Sequence, residues 1–328
     1  MAAFQFVNYN KPGPGVSKDA PPKSRFVVFF EIFSRKFTNL IKVNLMFMIP
    51  VIIAFLMTFG VSYFTNSVFL VFLPLVLISP FVAGLTFITR NYAREEHAFV
   101  FSDFKEAVQK NWKQFLVHGI ITYCFVILMY LATTFYYYNA PNNNFFYVPL
   151  AVCIMMCVLF LFMQYYIPVM IITFDLKLRQ IYKNALILAI IGLGRNLLLS
   201  LILLLIFGGL LLLFMLTGSA LVLMLLFLLA VLLIFSFVSL LCNYMVYPMI
   251  EKYLIKPYYE KQTEGSEEEQ KALAAAADED YDEEAAQALE KPKPEKAKSE
   301  YVYENGRLVR RSEVEAVFDD NLIDPKSK

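Results

Sequence analysis

The chain has 328 residues, of which 59% are hydrophobic and only 17% charged, and it contains 32 Phe. A soluble domain carries charge on about a quarter of its residues, so this composition excludes an ordinary water-soluble globule. The net charge of +1 hides a division: up to Lys256 there are 18 Lys and Arg against 8 Asp and Glu, and beyond it 11 against 20.

The segment 1–23 is polar and rich in Pro and Gly. It lacks the apolar core of a cleavable signal peptide and is read as a disordered cytoplasmic N-terminus. Three later stretches, 43–89, 114–174 and 196–250, hold no Asp, Glu, Lys or Arg. A helix needs about 20 mostly apolar residues to cross a bilayer, so each stretch is long enough for two passes. Each is also broken near its middle by polar residues: Thr65-Asn66-Ser67, the run 139–144, and Thr217-Gly218-Ser219. The fold class is therefore all-α. The pattern predicts six transmembrane helices as three hairpins, with spans 39–64, 69–92, 115–138, 146–173, 196–216 and 220–249.

A basic amphipathic helix is predicted ahead of each hairpin. In the first, Phe26, Phe29, Phe30, Phe33 and Phe37 make an apolar stripe opposite Arg25, Arg35 and Lys36. The second has Phe101, Phe104, Val108, Trp112 and Phe115 at steps of three and four, with Lys105, Glu106, Gln109, Lys110 and Lys113 on the other side. These are helical spacings, and Asp103 with Glu106 three residues on is the pattern of a capping box. The third starts at Asp175 and places Leu178, Ile181, Tyr182, Ala185 and Ala189 on one face. Such helices lie in the headgroup region or across the mouth of a bundle. The recurrence suggests three units, 24–93, 101–173 and 175–250, within a membrane domain at 24–256. An amide at the start of each odd span (Asn39, Gln114, Asn196) and a proline in each even one (Pro80, Pro168, Pro248) extend the parallel.

Lys and Arg gather between hairpins and are absent from the hairpin tips. Basic residues stay on the cytoplasmic side of short loops, so both termini are expected there. Within the spans no acidic or basic residue occurs away from the ends. Proton relays and voltage sensors use intramembrane charge, so a proton-coupled transporter is not expected. The candidate polar contacts inside the membrane are Asn44, His118, Gln164, Ser200 and Asn243, with His118 the one titratable group among them. Cys124, Cys153, Cys157 and Cys242 all fall in spans and read as packing residues, because Cys153 and Cys157 have no further ligand nearby. Gly192-Leu-Gly194 follows no strand and is not a nucleotide loop. It reads as a break ahead of the fifth span. No catalytic residue, metal ligand, cofactor or nucleic-acid partner is expected, and the chain is read as non-enzymatic.

Residues 257–328 form an acidic tail that buries too little apolar surface to order itself over most of its length. Its end differs. Tyr301, Tyr303, Asn305 and Gly306 belong to an alternating run around Asn-Gly, the strongest short hairpin signal. A capping box at Ser312-Glu-Val-Glu315 then leads to Phe318. This motif at 301–318 is either a weakly ordered end or a docking element for a partner.

Several stretches resemble the YesL family of bacterial integral membrane proteins: FFEIFSRKF at 29–37, LIKVNL at 40–45, ISPFVAGLTFITR at 78–90, and FSDF at 101–104 with NWK at 111–113. The resemblance covers 24–120, and the remaining spans more loosely. The family has no established biochemical activity. Its members often accompany sugar ABC importers and polysaccharide-degrading enzymes in Firmicutes. The resemblance thus implies an accessory or scaffold role in carbohydrate uptake, with importer subunits as partners besides the lipid bilayer. The alternative is a transporter or channel for a neutral solute such as an oligosaccharide, using Gln164, Tyr165 and Tyr166 with Tyr136-Tyr-Tyr138. The acidic tail lies outside the resemblance.

Overall fold

The computed structural model describes residues 23–259 and the strands at 301–304 and 307–310. Six helices are long and apolar enough to cross a membrane: α1 (Arg25–Ser62), α2 (Val68–Ala93), α3 (Val100–Asn139), α4 (Asn144–Thr173), α6 (Leu193–Thr217) and α7 (Ala220–Tyr259). Between α4 and α6 lies the shorter α5 (Leu178–Ile191). The membrane part is an all-α polytopic bundle. The breaks fall where the polar interruptions predict them, and at Gly218 the backbone is left-handed, with φ 55°. A glycine adopts that conformation without a Cβ penalty and so ends α6.

Two of the three predicted amphipathic helices are not separate elements. The first runs unbroken into the first span as α1, 38 residues long, with Ser24 Oγ accepting from Val27 N at its start. The second is likewise continuous with α3, 40 residues long. Nothing between them and their spans breaks a helix: residues 25–49 and 100–139 contain no proline. Only α5 stands apart, where Gly192 ends it and α6 begins one residue later. Asp103 is not an N-cap either. The helix starts at Val100, and the Asp103 carboxylate reaches back to accept from Phe99 N at 2.8 Å. Asp175 also yields its place, to Lys177, whose N–H donates to Gln180 Oε1 at 3.0 Å.

The apolar stripes are rotated from their predicted positions. In α3 the buried face is Phe104, Ala107, Asn111, Phe115 and His118, while Phe101 and Trp112 are exposed. In α1, Phe29 and Ile32 are buried and Phe26, Phe30 and Phe37 are exposed. The inward Phe29 and Phe33 pack edge-on against Phe237 of α7, with centroids 5.9 and 5.3 Å apart. The seam selects one side of an aromatic stripe, and the rest remains for headgroups, where Trp and Phe are favoured.

Helix α2 is the hub and packs against α1, α3, α4 and α7. Its stretch Leu73–Ile78 is a 3-10 helix. Pro74 and Pro80 each remove a backbone donor there, which loosens the α-helical ladder. Pro50 lies inside α1 as well, so proline is not confined to even spans. Close approach of α2 and α3 depends on two glycines. A Cβ on Gly84 would sit 2.7 Å from the Phe104 ring, and one on Gly119 would sit 2.6 Å from Ser79 Cβ.

Helix α7 is π-helical at Ala230–Ile234 and again at Glu251–Ile255, and continues to Tyr259, past the predicted membrane boundary at 256. In the tail, β1 (Tyr301–Glu304) and β2 (Arg307–Arg310) pair antiparallel, with Val302 opposite Val309. Asn305, Gly306 and Phe318, the segment 1–22 and the rest of the tail lie outside the described residues.

Candidate functional site

The core sits toward the end of the bundle where α1 begins and α7 finishes. Its most unusual member is Arg90, wholly buried near the end of α2. A buried guanidinium needs partners for its donors. Nη1 donates to Ile172 O at 3.3 Å and Thr173 Oγ1 at 3.1 Å, and Nη2 donates to Asn91 Oδ1 at 2.8 Å. Its charge also lies 4.9 Å from the centre of the Phe87 ring. Ile172 and Thr173 are the last residues of α4, whose carbonyl end carries partial negative charge. The cation therefore caps α4 from the side and locks it to α2. In the sequence Arg90 reads as the first basic residue after a charge-free span; only the packing reveals it as an internal cap.

Asn44 is buried on α1 and faces the first π-helical segment of α7. Its Nδ2 donates to Ala230 O at 2.9 Å and Val231 O at 2.7 Å, and its Oδ1 accepts from Ser236 N at 2.9 Å. A π turn displaces backbone groups from the regular ladder. One amide satisfies three of them.

Asn243, on α7, belongs to a second cluster. Its Nδ2 donates to Thr89 Oγ1 at 2.7 Å and lies 3.4 Å from Thr86 O, while Thr89 Oγ1 also meets Ser239 Oγ at 2.7 Å. Thr86 O can only accept, which fixes the amide with its nitrogen toward α2. The other end, Asn243 Oδ1, is buried and has no hydrogen-bond partner. Thr89 and Ser239 were not among the predicted contacts. Hydroxyls at helical spacing are too common in spans to stand out by sequence.

The remaining predicted residues also meet partners. His118 Nδ1 is 2.7 Å from Tyr182 Oη. Burial pushes the Tyr182 phenol up to about 12, so that partner is a neutral hydroxyl. Gln164 Nε2 reaches Thr122 Oγ1 at 3.4 Å. Ser200 Oγ lies 2.8 Å from Tyr165 Oη. One turn away Tyr166 Oη donates to Asn196 Oδ1 at 2.8 Å, and Asn196 Nδ2 donates to Ala189 O at 2.9 Å. Gly192 must be small here, since a Cβ would lie 2.4 Å from Tyr166 Oη. The structure thus brings His118, Gln164, Thr122 and Tyr182 to one junction of α3, α4 and α5, and places Asn44 and Asn243 on separate seams of α7.

Gln164 lines two cavities. One, of about 500 Å³, is lined by Phe47, Tyr165, Phe207 and Phe235 with Gln164 and Asn243. The other, of about 680 Å³, follows α2 and α3 past Phe69, Phe72 and Val126 to His118 and Thr122. Val82, Gln164 and Pro168 line both. Pro168 lacks the N–H that would bond the backbone carbonyl of Gln164 four residues earlier, which adds an acceptor at the shared wall. A third pocket, about 530 Å³, lies at the basic end. There Arg25 stands over the Tyr244 ring at 5.6 Å and Arg94 over Tyr247 at 4.9 Å.

Among the described residues no group of three or more His, Cys, Asp or Glu is placed to hold a metal ion. Of the candidate docking residues, Tyr301 and Tyr303 lie on β1. No curated protein and no solved structure matches the chain. Residues 40–132, which carry most of α1, all of α2 and the greater part of α3, match the family described as protein of unknown function, DUF624.

Proposed function

We propose that the chain is a non-enzymatic accessory or scaffold protein of a bacterial plasma membrane, with both termini cytoplasmic, working beside a carbohydrate importer. The observation that carries this reading is the contrast within α6. It is long and apolar enough to span a membrane, yet buries only Asn196 and Leu199 against the rest of the chain. Most of its leucines, Leu204, Leu205, Leu211 and Leu212 among them, are exposed and available to the spans of a partner, while Asn196 and Ser200 are engaged near its start. The basic loops support the orientation through the positive-inside rule. The YesL resemblance supports the importer as partner and adds no mechanism.

Mild cross-linking in native membranes, with cysteines placed along the outer face of α6, tests the reading. The expected result is capture of sugar-importer subunits, with no solute flux when the purified protein is reconstituted alone. Flux of labelled oligosaccharide without partners would overturn it. Such flux is the second reading, transport of a neutral solute. It is supported by one feature: the amide and aromatic groups around the 500 Å³ cavity suit an uncharged hydroxyl-bearing molecule. Orientation is tested separately, by membrane-impermeant labelling of single cysteines at the hairpin tips and in the loop 94–99.

A further inference from the structure

The tip of the third hairpin is built unlike the tip of the second. In the second, Phe125 of α3 stacks on Phe160 of α4 with centroids 3.8 Å apart, and Phe146 of α4 meets Phe135 and Tyr136 of α3 at 6.0 and 6.2 Å. Tyr123 Oη of α3 also donates to Phe69 O of α2. Nothing of this kind ties residues 201–229. The Thr217 hydroxyl donates only to carbonyls of its own helix, and among the described residues no aromatic ring of this stretch pairs with another. No residue from 200 to 235 is buried, and α6 makes its main contacts with α7.

Both ends of the stretch are fastened. Before it, Leu199 is wholly buried, Ser200 Oγ lies 2.8 Å from Tyr165 Oη, and Asn196 accepts from Tyr166. After it, Asn44 engages Ala230 O, Val231 O and Ser236 N. Helices in lipid associate through close packing and polar contacts. A segment with neither, held only at its two ends, has little to fix its angle, and moving elements are drawn from regions with few buried contacts. A π turn is also one of the few places where a helix changes direction sharply.

One residue of the stretch bears on the interior. Phe207 lines the 500 Å³ cavity and, being 46% exposed, stands at the border between that cavity and the bilayer. We infer that residues 201–229 are a hinged arm, pivoting at Ser200 and at the Ala230–Ile234 π turn, whose swing carries Phe207 away from the cavity and opens that wall to lipid. Leu212 lies twelve residues past Ser200. At about 18 Å from the pivot, it moves by about 5 Å for a swing of about 15°. The inference rests on no partner and no ligand.

The test uses the full-length protein in lipid nanodiscs, with Cys124, Cys153, Cys157 and Cys242 replaced by alanine and nitroxides on introduced cysteine pairs. Pulsed electron–electron double resonance reads three distances from Leu56→Cys on α1: to Leu212→Cys in the arm, to Leu197→Cys in the anchored start of α6, and to Leu128→Cys on α3. All of these side chains are exposed, so the labels displace no core packing. The distribution to the arm is expected to be wider than either of the others by about 5 Å. A distribution as narrow as theirs would overturn the proposal. A nitroxide at Val238→Cys, on the cavity wall, reads the opening. Its collision rate with lipid-dissolved oxygen should rise about twofold in Phe207→Ala, where the missing ring leaves a gap. It should stay unchanged in Leu211→Ala, whose side chain is exposed and lines no cavity wall. A melting curve shows that each variant is folded. An unchanged rate in folded Phe207→Ala, or an equal rise in Leu211→Ala, would also overturn the proposal.

Discussion

The two halves of the bundle are built by different rules. At the basic end, where α1 starts and α7 finishes, side chains interlock: Arg90, Tyr92, Phe115, Tyr166 and Met170 are all nearly or wholly buried. Toward the tips the helices go their own way. Beyond His118, α3 buries nothing further; before Phe162, α4 buries nothing; residues 220–229 bury nothing at all. In lipid this is no liability, because hydrocarbon tails are as apolar as Leu and offer no hydrophobic drive for helices to associate. Association comes instead from close packing and polar contacts, and those are concentrated at one end. The helices of the second and third hairpins are therefore held together chiefly from one side.

Substitutions can break or sharpen that comparison. The largest effect is expected from Arg90→Leu, which strips the C-terminal end of α4 of its lateral cap. A loss of about 3 kcal/mol is expected in detergent unfolding, from several hydrogen bonds to a charged group and the acceptors they leave unpaired. A loss below about 1 kcal/mol would mean that the basic end does not depend on that lock. Next comes Asn44→Leu, which leaves Ala230 O, Val231 O and Ser236 N without their partner and should cost about 2 kcal/mol. Hydrogen exchange should then rise at 230–236 specifically. The smallest and most diagnostic comparison is between glycines. Gly84→Ala forces a Cβ into the buried Phe104 ring and should cost about 1–2 kcal/mol through overpacking. Gly208→Ala and Gly209→Ala meet nothing within 4 Å. They should fall within about 0.5 kcal/mol of the unaltered protein. Equal losses at Gly84 and Gly208 would show that the tips are packed after all.

Much of this division is legible in the sequence, and the illegible part has a physical cause. Charge-free stretches and polar breaks locate six spans, because a bilayer imposes length and apolarity on each helix separately. Which side of a helix faces the bundle is a different matter. In lipid both sides are apolar, so periodicity cannot separate Phe104, which is buried, from Phe101, which is not. The same limit rotated the predicted stripes and concealed that the first two short helices continue into their spans. Asn44 and Asn243 stand out in sequence because amides are rare in an apolar run, whereas Thr89 and Ser239 do not. Arg90 is hidden by its position: one residue beyond the charge-free stretch, it looks like any basic residue at a membrane border.

The π-helical segment at Ala230–Ile234 has a consequence best put in terms of rotational phase. An α-helix advances about 100° per residue, and a single π turn accommodates one residue more than the α-helical turn it replaces. Helix α7 is thus two frames joined by an offset. Upstream, the frame presents Leu, Met and Phe on every side. Downstream, it turns Leu240, Asn243 and Tyr247 together toward the bundle. Asn44, by holding the carbonyls of the offset, sets the angle between the frames. One side chain on α1 therefore indexes the face that α7 shows to α2, two turns away from the contact itself.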